Sequence, residues 1–132
     1  MVERFFRGIA SGSMRDIERA LAPDAVVIDR TGKATLAQKA WSARLALYDY
    51  RDTIEHPAIT ESDVQVVDVE DEMASAVRTL VQPQPDELLL RVDVQRPMHR
   101  NQRQFGDVLW FVAAVHQRHY QIRAIVEDFA LP

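Results

Sequence analysis

The chain has 132 residues, 47% hydrophobic and 27% charged, which fits one globular domain, residues 1–132, around a single core. Its 16 basic and 20 acidic residues leave a formal net charge of −4, which argues against a nucleic-acid module, because such modules bind mainly by neutralising phosphates. No apolar stretch approaches the ~20 residues that span a bilayer, and with no cysteine there is no disulfide, thiolate nucleophile or sulfur-rich metal site.

From the N-terminus, Glu3 and Gly8 interrupt the clean apolar stretch a signal peptide needs, so a cytoplasmic location is the default expectation. Val2, Phe5, Phe6 and Ile9 fall on one face of a first helix. Ser11-Gly12-Ser13 ends it, and Ser13 caps a second helix with Asp16 in its first turn and Met14, Ile17 and Leu21 as its stripe. Ala22-Pro23-Asp24 closes that helix, Ala25 to Asp29 reads as a strand, and Thr31-Gly32 is the turn after it. Thr35-Leu36-Ala37-Gln38 has the form of a capping box, opening a third helix that carries Trp41, Leu45 and Tyr48 and ends near Tyr50.

Beyond that point the pattern predicts sheet. Asp63 to Val69, Met73 to Val81 and Leu88 to Val94 read as strands, and Phe105 to His116 with Tyr120 to Phe129 as a closing hairpin. On the last strand, alternation groups Ile125 and Phe129 with Arg123 and Glu127, and Ile122 with Ala124 and Val126. The strand Phe105 to Val115 is apolar on both faces, so its sheet needs two covers. Helices supply one, and a second subunit is expected as the other, making the protein a homodimer through the sheet.

The stretch VERFFRGIASGSMRDIERALAPDAVVIDRTG resembles the opening of ketosteroid isomerase without an internal gap. The resemblance implies the cone-shaped α+β fold shared with nuclear transport factor 2 and limonene epoxide hydrolase, a cystatin-like curved antiparallel sheet wrapped around three N-terminal helices. Asp29 falls where the isomerase carries its general base; the other reading is a strand-end acid satisfied by its own turn. Phe5 stands at the isomerase's oxyanion tyrosine and cannot donate a hydrogen bond, and Asp107 is the only acid in the strand that would hold the second donor. Steroid isomerisation is not expected. The segments RVDV and QIRAIVEDF are similar to two strands of limonene epoxide hydrolase, and by position Arg91, Asp93 and Glu127 take the places of its charged trio. Glu127 would then activate water, Asp93 would protonate the opening oxygen, and Arg91 would separate their pKa values. The alternative is that Arg91 and Asp93 are an ion pair on a solvated face.

These likenesses imply a pocket lined by Phe5, Ile9, Trp41, Leu45, Ile125 and Phe129, with Asp29 and Glu127 among its polar groups. The expected ligand is a hydrophobic small molecule, handled by cofactor-free acid–base chemistry of an isomerase, lyase, cyclase or hydrolase. A non-catalytic ligand-binding or dimerisation module on the same fold is the competing hypothesis. His56, His99, His116 and His119 are scattered; His116 and His119 would present their rings on opposite faces, so no metal site is expected. The basic clump Arg96, His99, Arg100 and Arg103 reads as a solvated loop or an anion-binding rim.

Overall fold

The computed structural model describes residues 1–29, 31–47, 59–94 and 108–128. Helices α1 (Val2–Ser11) and α2 (Met14–Ala20) meet at a left-handed Gly12, φ 72°, whose turn lets backbone N–H groups reach the carbonyls of Gly8 and Ile9. The Ser13 hydroxyl accepts from the Asp16 N–H at 3.3 Å and caps α2 as its sequence predicts. Gly8 is needed for a close approach: a Cβ there would lie 2.9 Å from Ile17 Cγ1 and 3.0 Å from the Ile17 nitrogen.

Strand β1 (Leu21–Ile28) starts directly after α2, with Pro23 inside the stretch where its pairing shifts register. Strand β2 (Ala34–Leu36) pairs with it and leads into α3 (Ala37–Leu47). Thr35 and Leu36 therefore belong to an edge strand, and the helix begins two residues after the predicted cap. A 3-10 turn at Glu61–Asp63 precedes β3 (Val64–Val67).

The segment read as a strand from Met73 to Val81 is helical. A 3-10 turn at Glu72–Ala74, begun by the Asp71 carboxylate accepting from the Met73 N–H, runs into α4 (Ser75–Val81). Its valines favour strand locally, but Ala74, Val77 and Val81 are the buried positions and have helical spacing, so burial of one helical stripe wins. Strands β4 (Leu88–Asp93), β5 (Val108–His116) and β6 (His119–Asp128) complete a six-stranded sheet in the order β2-β1-β6-β5-β4-β3. All neighbours are antiparallel except β1 and β6, which run parallel, so the expected antiparallel sheet is mixed.

The sheet has a core on each face. Phe5, Phe6, Ile9, Trp41, Leu90, Val92, Leu109, Phe111 and Ile125 pack on the face covered by α1, α2 and α3. Leu89, Val108, Trp110, Val112, Ala124 and Val126 pack on the other with Ala74, Val77 and Val81. α4 of the same chain thus supplies part of the second cover that β5 requires. A bulge between Val112 and Ala113 adds one residue to β6, so Ile122 joins the first core and Ala124 the second. That separates Ile122 from the face of Ala124 and Val126 and sends Arg123 toward α4. There it holds Glu87 through two bonds, of 2.7 and 3.0 Å, and the Val81 carbonyl at 3.1 Å.

Candidate functional site

Asp29 directly follows β1 and organises its own turn. Its Oδ1 accepts from the Thr31 hydroxyl at 2.6 Å, the Thr31 N–H at 2.9 Å and the Lys33 N–H at 3.0 Å. The Thr31 hydroxyl and the Lys33 N–H hold the carboxyl below its ordinary pKa, which makes it a weaker base. Of the two readings of Asp29, the geometry matches the turn.

The charged trio is not assembled. Arg91 pairs with Trp110 across β4 and β5, on the α4 face, and its guanidinium carbon lies 5.9 Å from the Trp110 ring centre. Asp93 follows on that same face and is exposed. Glu127 instead pairs with Leu109, a residue of the core under α1, α2 and α3. The sheet separates Glu127 from both Arg91 and Asp93. No shared proton transfer among the three follows from this arrangement.

What Glu127 does meet is Arg44 of α3. The two ion-pair at 2.5 Å, with side-chain exposures of 6% for Glu127 and 22% for Arg44. The Arg44 guanidinium also lies 4.8 Å from the centre of the Trp41 ring. Arg44 and Trp41 are three residues apart on one helix, so both reach the same patch of sheet. Arg44 was missed in the sequence because a lone arginine between Trp41 and Leu45 reads as the solvent side of the stripe.

The predicted pocket wall is largely packed core. Phe5, Ile9, Trp41 and Ile125 are each at most 1% exposed. The Phe5 ring stands edge-on to Trp41 at 5.4 Å, Phe6 at 5.5 Å and Phe111 at 5.6 Å between centres. Leu45 is partly buried against this cluster. Phe129, Tyr48, His56, Asp107 and the Arg96–Arg103 clump lie outside the described residues. A groove of about 520 Å³ does open at the β3 edge, lined by Met1, Val2, Glu3, Val64, Val66 and Leu90. Val64, Val92, Leu109 and Glu127 are successive cross-strand partners. The groove and the Arg44–Glu127 pair therefore sit on one rung of the sheet, about 14 Å apart at the usual strand spacing.

No protein-family model matches the chain, and no curated protein matches it. Solved structures do. An NTF2-like protein of unknown function in nutrient uptake from Rhodospirillum rubrum aligns over 98% of this chain and 94% of that one, with TM-score 0.55 and 16% identity. An NTF2-like protein with a cystatin-like fold from Novosphingobium aromaticivorans aligns over 98% and 77%, with TM-score 0.55 and 9% identity. An NTF2-like protein of unknown function from Silicibacter pomeroyi aligns over 95% and 86%, with TM-score 0.51 and 16% identity. The fold is NTF2-like. Identities this low carry the fold alone, and NTF2-like proteins must be assigned an activity from the site itself.

Within this NTF2-like chain, no group of three or more His, Cys, Asp or Glu could hold a metal among the described residues. No helix among them is long and apolar enough to cross a membrane. One expectation about the histidines changes. His116 and His119 are cross-strand partners flanking a two-residue turn, so their rings leave the same face of the hairpin, not opposite faces.

Proposed function

We propose that this chain is a binding module for a hydrophobic small molecule, using the helix-covered face of the sheet, with Arg44 and Glu127 as its polar anchor. The observation that carries the reading is the separation of the acids. Asp29 is spent on a surface turn, Asp93 lies beyond the sheet, and Glu127 alone sits on the helix side, paired with Arg44. Acid–base catalysis of the isomerase or hydrolase kind needs an acid and a base converging on one substrate. A single buried ion pair suits recognition of a polar group at the end of an apolar ligand.

Stability alone gives a weak reason for that pair. Two well-packed apolar residues would serve as well or better, whereas an anchor for a ligand's polar end requires charge. The groove at the β3 edge has a volume in the usual range for ligand sites, roughly 300–1,000 Å³, at about 520 Å³.

The test is a panel of hydrophobic ketones, carboxylic acids and epoxides, followed in parallel by amide chemical shifts and by product formation. Binding should shift Val64, Val66 and Leu90 and yield no product, and Glu127→Gln should weaken it about tenfold, the loss of one charge-assisted hydrogen bond. Turnover that survives Asp29→Asn and disappears in Glu127→Gln would restore the enzyme reading, with Glu127 as its base.

A further inference from the structure

Strands β5 and β6 are joined by Gln117 and Arg118, with φ of 50° and 68°. Two successive left-handed residues make the primed turn that matches hairpin twist, normally built from Asn-Gly. Here neither residue is glycine or asparagine, so the turn is held in a conformation its own residues disfavour. The consequence is a fixed register in which His116 faces His119, with Val115 and Tyr120 as the next pair inward. Directly opposed residues place their Cβ atoms about 5 Å apart on one face. Both histidines are exposed, and neither serves either core.

We propose that His116 and His119 form a two-histidine site for a divalent transition-metal ion of the zinc, copper or nickel class. Imidazole nitrogens bind such ions at about 2.0–2.1 Å, so two ligating nitrogens stand roughly 3.3 Å apart, which rings on opposed residues reach by side-chain rotation. Neutral imidazole is a favoured ligand for these metals. Gln121 follows His119 on the same face, opposite Ala114, and buries its Oε1 without a hydrogen-bond partner among the described residues. Arg123 lies further along β6, and its charge is matched by Glu87, while Arg118 is exposed in the turn. With two protein ligands, the ion keeps water in its remaining positions.

The experiment titrates the intact protein with Zn²⁺, and separately with Ni²⁺, following histidine ring signals by NMR and binding by calorimetry. One ion per chain should bind, perturbing His116 and His119 together. His116→Ala and His119→Ala should each weaken binding by roughly tenfold or more, because each removes the second arm of a chelate. His56→Ala/His99→Ala should leave it unchanged. Equal affinity in His116→Ala and the unaltered chain, or loss in the His56/His99 variant, overturns the site. Gln117→Asn/Arg118→Gly keeps the register and should retain binding; a loss there would also count against the pair.

Discussion

The two faces of this sheet are covered by different means, and the difference separates what is structural from what is available for function. On one side α1, α2 and α3 bury a cluster of aromatic rings, and the buried Glu127 sits at its end. On the other, the short α4 lays Ala74, Val77 and Val81 over Trp110 and its neighbours, and the polar groups there tie elements together. Arg123 binds Glu87 and the end of α4, and Arg91 lies along Trp110. Charges on the α4 face fasten the cover. The charge pair on the helix-rich face fastens α3 to β6, three strands from the groove at the β3 edge.

The strongest way to break this comparison is Trp110→Asp. Trp110 is 3% exposed within a single chain, so an unpaired carboxylate there meets an apolar core, not solvent. The expected loss exceeds about 4 kcal/mol, and the chain should unfold independently of its concentration. Sedimentation paired with circular dichroism distinguishes the outcomes. A folded monomer from a dimeric parent would place the second cover in a partner subunit instead of α4.

Arg123→Ala probes the fastening role with a smaller effect. It leaves the Glu87 carboxylate, whose side chain is 6% exposed, without the guanidinium that holds it. The cost should be about 2–3 kcal/mol, the range for hydrogen bonds to a charged group. Burial pushes the Glu87 carboxyl up, but the Arg123 bonds and the Gln84 N–H outweigh it and bring the group below its ordinary pKa. A depressed folded value means stability that is present above the unfolded pKa and lost as pH falls through the folded one. Denaturation between about pH 5 and pH 3 should therefore be less steep in pH for Arg123→Ala than for the parent. Identical slopes would remove Glu87 from the acid response.

Much of the architecture was legible because local and tertiary signals agree. The stripe Val2, Phe5, Phe6, Ile9, the Ser13 cap and the two-sided apolar run of β5 each say one thing, and the chain obeys. Where signals conflict, the sequence misled. Val77, Thr79 and Val81 read as strand, yet the Asp71 cap and the Ala74–Val77–Val81 stripe make α4. The bulge at Arg123 left no mark in the alternating pattern, so faces were misassigned for Ile122 and Arg123. The site suffered most. Glu127 was visible as an acid in a strand, but its partner Arg44 lies far away in sequence, and only packing of α3 on β6 brings them together.

The hairpin tip, which belongs to neither core, offers the mildest test. Arg118 sits at φ 68°, where the Cβ of an L-residue crowds the backbone, at a cost of roughly 1–2 kcal/mol. Arg118→Gly removes that strain and adds the greater unfolded-state freedom of glycine, worth about 0.5–1 kcal/mol in the opposite direction. The balance is a gain of up to about 1 kcal/mol, read as a higher denaturant midpoint at unchanged slope. Arg118→Ala keeps the Cβ and should give no gain, which separates strain relief from loss of the arginine's charge. If glycine destabilised the chain while alanine did not, the turn would not hold a left-handed residue at position 118, and the opposition of His116 and His119 would fail with it.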